Sequence, residues 1–198
     1  MNSKTYLVMI VGLASMTIAS LCGAAPVNLA LSGTATQSTT FCCDRGVSGA
    51  AGKAIDGNTD GDFFNGSVSH TAGDQNAFWR VDLGDTFEIG QVTVWNRTDC
   101  CADRLTNFSV SILDSSLASV SAQELFVGGG TFALSFDVLF PTNTAGRFVQ
   151  IQLLGNGAIL QLAEVQVFQA VPLPGALSSL CLGLAIFANC QRKHRQTI

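Results

Sequence analysis

The chain has 198 residues, 47% of them apolar and only 12% charged, with a mean hydropathy of +0.37. These values exclude a disordered chain and leave room for one sizeable domain. All 14 acidic residues lie between Asp44 and Glu164, against six basic ones (Arg45, Lys53, Arg80, Arg97, Arg104 and Arg147), so this interval carries −8 although the whole chain sums to −4. Generic phosphate-backbone binding needs a basic face, and no nucleic-acid partner is expected.

In chain order, Lys4 precedes an apolar run from Tyr6 to Leu21, followed by the small residues Cys22-Gly23-Ala24-Ala25. This is the pattern of a secretory signal peptide over residues 1–24, cleaved after Ala24. A lipidated Cys22 is the alternative, but Leu21 stands where a lipobox wants a small residue. A retained anchor is disfavoured by the small-residue site.

Residues 25–170 carry short β-rich runs separated by Gly, Asn, Asp and Ser. Phe78–Leu83 alternates and stops at Gly84-Asp85. Ile89–Trp95, Phe108–Ile112, Phe148–Leu153 and Leu162–Phe168 repeat the pattern. Period two with turn punctuation argues strands, and no amphipathic helix of three turns is present. An all-β, antiparallel β-sandwich of jelly-roll type is expected. Thr34–Asn76 is rich in turn-formers and reads as a long functional loop region.

The last segment, 171–198, opens on Val171-Pro172-Leu173-Pro174-Gly175 and runs through Leu184-Ala185-Ile186-Phe187 to Arg192-Lys193-His194-Arg195. Its apolar stretch is barely long enough to span a bilayer, and the basic cluster would stay cytoplasmic. The order of motif, marginal span and basic tail resembles the PEP-CTERM sorting signals of Gram-negative bacteria, with Pro-Leu-Pro in place of Pro-Glu-Pro. That resemblance implies processing by an exosortase-type enzyme and delivery to the cell surface or matrix. A plain C-terminal anchor in the inner membrane is the alternative. Either way 25–170 is exported, and membrane contact is confined to the two end segments.

Four of the seven cysteines fall in the exported part, as the adjacent pairs Cys42-Cys43 and Cys100-Cys101. Export permits disulfides, and four cysteines allow three connectivities. Adjacent cysteines usually bond elsewhere, because a vicinal bridge closes a cramped ring.

His70 is the one histidine of the exported region, and Arg97 and Arg104 flank the second cysteine pair. An imidazole with two guanidiniums suits recognition of neutral hydroxyls or of an anion. Each arginine taken alone reads equally as a surface ion pair of small worth. The spacing His70, 26 residues, Arg97-x-Asp99-x-x-x-x-Arg104 resembles the signature of the F-type lectins, the fucolectin family. The stretches Ala54–Asp60 and Phe78–Gly84 are similar to the wider discoidin superfamily. Asn28-Leu29-Ala30 and Ala163–Val167 resemble its first and last strands, so the likeness covers nearly all of 25–170.

The resemblance implies that His70, Arg97 and Arg104 converge on the 4-hydroxyl, ring oxygen and 3-hydroxyl of α-L-fucose. It implies a vicinal Cys100–Cys101 disulfide packed against the sugar. Phe64, with Phe63 and Phe41, would receive the C6 methyl, whose burial is worth roughly 1 kcal/mol. Asp99 and Asp103 would orient the arginines. It also implies a structural Ca²⁺ held by main-chain carbonyls of Lys53, Asn58 and Ala163 and by Asp56, Ser67 and Glu164, a hard oxygen set. The animal family's disulfide between the positions matching Val68 and Ala163 is missing here. Cys42-Cys43 lies in the loop beside the pocket and would form a second vicinal bridge or pair with another chain.

The expected function is fucose-dependent binding of glycans or polysaccharide without catalysis, since no carboxylate pair is placed for hydrolysis. Self-association into a homo-oligomer stays open. The alternative is an adhesion protein of discoidin fold, without fucose specificity, that contacts polysaccharide, protein or lipid and inserts Phe41, Phe63 and Phe64 into a membrane.

Overall fold

The computed structural model describes residues 26–126, 133–155 and 159–171. The expected signal peptide and the tail beyond Val171 lie outside the described residues. Eight strands are present among the described residues: β1 (Thr34–Gln37), β2 (Ser69–His70), β3 (Phe78–Asn96), β4 (Asn107–Leu113), β5 (Ser119–Phe126), β6 (Ser135–Leu139), β7 (Ala145–Leu153) and β8 (Gln161–Gln169). Every pairing between them is antiparallel. Among the described residues the only helical elements are short 3₁₀ turns, and no helix is long and apolar enough to cross a membrane.

Strand β3 joins two layers. Its first half pairs with β1 through Asp82 and with β7 through Glu88, and its second half pairs with β8 from Ile89 and with β6 from Gln91. The layers are therefore β1-β3-β7-β4-β5 and β2-β8-β3-β6. Gly84-Asp85 does not end a strand, as the sequence suggests; it bends one. Gly84 takes φ 86°, its N–H donates to Asp82 Oδ1 at 2.8 Å, and the register with β7 shifts between Asp82 and Phe87. An irregularity of this kind re-aims a strand without breaking it.

Alternation then supplies the core. Trp79, Val81, Val92, Val94, Val110, Ile112, Val149, Ile151, Val165 and Val167 are fully buried in one cluster drawn from both layers. Each such side chain contributes roughly 1.5–3 kcal/mol through burial. The N-terminal segment is not the expected strand: Leu29–Ser32 is a 3₁₀ turn. Asn28 Oδ1 accepts from Ala30 N at 3.1 Å and Val167 N at 2.9 Å, which ties the turn to β8. The expected loop region Thr34–Asn76 contains β1 and β2, and its 3₁₀ turn Ala51–Ile55 is pinned by Trp79 Nε1 donating to the Ala51 carbonyl at 2.9 Å.

Two features position the site. The register between β3 and β8 slips between Trp95↔Glu164 and Asn96↔Leu162, so Ala163 is an extra residue. This bulge lets Leu162 and Val165 both enter the core while Gln161 pairs opposite His70. The body is also polar along its length. β8 starts at Gln161, beside β2, and ends at Gln169, where Asn28 bridges Phe168 and the described chain both begins and ends.

Candidate functional site

His70 ends β2, Arg97 follows β3 directly, and Arg104 closes the 3₁₀ turn Ala102–Arg104. The fold brings all three to one place. Gln161 completes the group: with its amide oxygen facing them, it accepts from His70 Nε2 at 2.7 Å, Arg97 Nη1 at 2.8 Å and Arg104 Nη1 at 3.0 Å. Sequence reasoning did not select Gln161. One glutamine at a strand start carries no local signal, and only the cross-strand pairing of His70 with Gln161 reveals it.

Each donor is held differently. Asp99 grips Arg97 through Nε and Nη2, both at 2.7 Å, and the guanidinium lies 4.9 Å over the Phe63 ring. Asp99 is thus the orienting group the resemblance implies. Asp103 is not one: it makes no ion pair with Arg104 within 4.0 Å. It sits exposed on the turn itself, so its carboxylate faces water instead. His70 Nδ1 lies 2.6 Å from the Thr71 carbonyl, and a neutral ring, with one N–H, donates either to this carbonyl or to Gln161. Burial lowers the His70 pKa, and the positive charges of Arg97 and Arg104 push it the same way against the pull of the Thr71 carbonyl.

Aromatic rings flank His70. Phe41 stacks on the His70 ring at 4.5 Å, Phe63 meets it edge-on at 5.5 Å, and Phe64 lies beyond Phe63 at 5.6 Å. Phe63 is 1% exposed and Phe64 40%. Of the three phenylalanines offered for membrane insertion, Phe63 is excluded because it is buried beneath Arg97, whereas Phe64 is exposed and carries the Arg45 guanidinium 4.7 Å over its ring. Cys100–Cys101 is a vicinal disulfide, with Cys101 at φ 57°, and Arg104 N donates to the Cys101 carbonyl at 3.1 Å. Cys42–Cys43 is a second vicinal disulfide, exposed on the loop after Phe41. The expectation that adjacent cysteines bond elsewhere is overturned for both pairs. Positive φ at Cys43 and Cys101 belongs to loops that turn too sharply for extended backbone.

Local chemistry fixes the loops around these groups. From Asp56 to Phe64, Asp and Asn at every second position accept from the backbone N–H two residues on: Asp56 to Asn58, Asn58 to Asp60, Asp60 to Asp62 and Asp62 to Phe64, at 2.9–3.0 Å. Such side chains replace backbone turns with their own oxygen. Gly61 lets this ladder touch the arginine loop, since a Cβ there would lie 2.9 Å from the Asn96 carbonyl. Thr98 N donates to the Gly61 carbonyl at 2.9 Å.

Beneath the ladder lies Glu164, fully buried, with neither carboxylate oxygen hydrogen-bonded. Burial, reinforced by Asp56, pushes its pKa to about 7, and the nearby backbone N–H groups of Gly57 and Asp56, which fall outside hydrogen-bond geometry, offset this only in part. A buried carboxylate without donors beside a second acidic group fits a hard cation. Ser67, 1% exposed, already donates to the Asp60 and Asp62 carbonyls, and Lys53 Nζ to that of Gly66. Among the described residues no three His, Cys, Asp or Glu side chains cluster, so main-chain carbonyls must supply most of such a site. Asn58 keeps its side-chain oxygen on Asp60 N, which leaves its carbonyl as its donor to a cation. Val68 and Ala163 are both fully buried and pack with Phe63 in a small apolar cluster where the animal family has a disulfide. A separate cleft of about 390 Å³ between Pro26, Leu139, Phe168 and Val171 has no charged side chain in its lining and lies at the far end of β8.

The family model described as "NedA-like, galactose-binding domain" matches residues 53–151. Fucolectin of the eel Anguilla anguilla is 38% identical over 144 residues, covering 71% of this chain and 89% of the eel protein. The lectin domain of lectinolysin, solved in complex with Lewis B antigen, is similar at 38% identity and a TM-score of 0.66, covering 73% of this chain and 98% of that one. A Streptococcus pneumoniae fucose binding module is 34% identical with a TM-score of 0.65, covering 73% and 96%. These relatives are lectins and binding modules, so the chain is a binding protein and not an enzyme. Sequence, fold and coverage agree that it belongs to the fucolectin, or F-type lectin, family.

Proposed function

We propose that this chain is an exported lectin that binds terminal α-L-fucose through His70, Arg97 and Arg104. The observation that carries the reading is the meeting of His70 Nε2 and both arginine Nη1 atoms within 3.0 Å of one oxygen. Three donors aimed at one point suit a sugar that presents a hydroxyl, a ring oxygen and a second hydroxyl on one edge. A sugar with an equatorial 4-hydroxyl leaves a buried donor unpaired, which costs about 1–3 kcal/mol. Phe64 and Phe41, backed by the buried Phe63 and joined by the Cys100–Cys101 sulfurs, would make the apolar side that receives the C6 methyl. No group is placed to attack the glycosidic bond, and the sugar leaves unchanged.

Ca²⁺ belongs to the same proposal. Carbonyls of Lys53, Asn58 and Ala163 and the side chains of Asp56, Ser67 and Glu164 would hold it. When bound, it supplies positive charge to the buried Glu164 carboxylate and cross-links the acidic ladder to β8. The ends of the chain carry the export reading: a signal peptide over 1–24, and a tail over 171–198 processed by an exosortase-type enzyme for display at the cell surface or in the matrix.

Calorimetric titration with L-fucose, with and without Ca²⁺, tests this. Binding should depend on fucose, weaken on chelation and vanish in Arg97→Ala and Arg104→Ala. Normal fucose binding by both variants would overturn it.

A further inference from the structure

The donors of the site are unequally anchored. Asp99 occupies Nε and Nη2 of Arg97, and the single N–H of the neutral His70 ring is contested by the Thr71 carbonyl, 2.6 Å from Nδ1. Arg104 is exposed and has no carboxylate within 4.0 Å among the described residues. One nitrogen of each side chain points at Gln161: Nη1 of Arg97, Nη1 of Arg104 and Nε2 of His70. All three meet the Gln161 oxygen. An amide oxygen has two lone pairs and cannot satisfy three donors fully. The group is therefore left with donor capacity in excess, which a ligand oxygen can take up.

Depth gives the arrangement its direction. Gln161 is 2% exposed, Arg97 5% and His70 7%, and Arg104 is open to solvent. The shared acceptor lies on the inner side of the donors. Each Nη1 carries two hydrogens, so one directed inward to Gln161 leaves the other to point outward.

We propose that Gln161 is the positioning residue of the sugar site: its side-chain oxygen is a fixed floor acceptor that gathers His70, Arg97 and Arg104 and directs the remaining N–H groups of the two arginines at the sugar. The bulge at Ala163 is what makes this placement available, because it turns Leu162 into the core while Gln161 stays opposite His70. The proposal rests on the fucose-binding reading for its ligand, but the contacts themselves exist without sugar.

Two variants of the whole protein test it. Gln161→Met keeps the length and removes the acceptor; Gln161→Glu keeps an oxygen at the same reach. Expected for Gln161→Met is a loss of about 10- to 100-fold in fucose affinity with an unchanged melting temperature. The ¹⁵N resonances of His70 Nε2 and the arginine Nη groups should also move in the sugar-free protein. Gln161→Glu should keep those sugar-free signatures close to wild type and restore most of the affinity. Wild-type affinity and unchanged resonances in Gln161→Met would overturn the proposal. So would equal losses of affinity and of melting temperature in both variants, which mark a packing role. If wild type itself fails to bind fucose, the ligand reading falls, while the sugar-free resonances still decide whether Gln161 positions the donors.

Discussion

Replacing Asp99 by Asn asks how much of the site depends on Arg97 being gripped as well as brought near. Asp99 accepts Nε and Nη2 at 2.7 Å, the two side chains are 6% and 15% exposed, and Oδ1 also accepts from Phe63 N at 3.3 Å. An amide of the same shape keeps one oxygen and turns an NH₂ group toward Nη2. The guanidinium loses half its fork and its counter-charge while it stays buried over Phe63. Breaking a fully buried pair costs about 3–5 kcal/mol, and the residual exposure of Asp99 brings this to roughly 2–3 kcal/mol. The Arg97 hydrogen bonds hold the Asp99 carboxyl below the usual carboxylate range, against the opposing effect of burial. The folded pKa therefore lies below the unfolded value of about 3.9, so the stabilisation is complete above that pH and is lost as pH falls through the folded value. Urea unfolding at pH 7 should show the full difference between wild type and Asp99→Asn, and the difference should shrink as pH drops below about 3.9. Fucose affinity at pH 7 should fall as Arg97 swings away from the shared oxygen. Equal stability at pH 7, or a difference as large at pH 2.5 as at pH 7, would refute the reasoning.

Glu164 reverses the sign. Its folded pKa of about 7 lies above the unfolded carboxylate value, so the metal-free protein should lose stability as pH rises from about 4.5 to 7. Thermal melts in chelator should fall over that window, added Ca²⁺ should remove the fall at pH 8, and Glu164→Gln should be flat in both conditions. A chelated wild type as stable at pH 8 as at pH 5 contradicts this. Gly49 is the point where the pocket loop touches β2: a Cβ there would sit 2.4 Å from the His70 Cβ and 2.8 Å from its backbone nitrogen. Gly49→Ala should force the loop off His70 and lower stability by roughly 1–3 kcal/mol, with weaker sugar binding, read by melting and titration together. An unchanged melting temperature would show that the loop yields freely.

How much was legible before the fold depends on whether a signal is local. The His70, Arg97, Arg104 spacing and the alternation of Val92 with Val94 or Val149 with Ile151 can be read along the chain, and both are seen in the molecule. Gly84-Asp85 misleads because a turn signature looks the same whether a strand ends or bulges and pairs on, as β3 does with β7 at Phe87 and Glu88. β5 was passed over because Ser119–Phe126 is an edge strand with mostly exposed residues, so its pattern has no buried face to reveal it. Gln161 was out of reach for a different reason, since its role arises from the register of β2 on β8 and from a bulge two residues away. Asp56 and Asn58 read as metal ligands along the chain, yet the spacing of two from Asp56 to Asp62 also encodes a self-capping ladder.

The two ends of β8 set the geometry of presentation. The pocket lies beside Gln161, whereas Pro26, Val27 and Val171 gather near Gln169, about 26 Å away at the usual rise of a strand. Any neighbour joined before Pro26 or after Val171 leaves from the face turned away from the sugar. Copies tethered to one support by that face would hold their pockets outward and side by side. A densely fucosylated surface could then engage many weak sites at once, with avidity gains of about 10²–10⁴ over a single pocket and no new contact required. For such a module, spacing on the support governs retention as strongly as the chemistry of any one pocket.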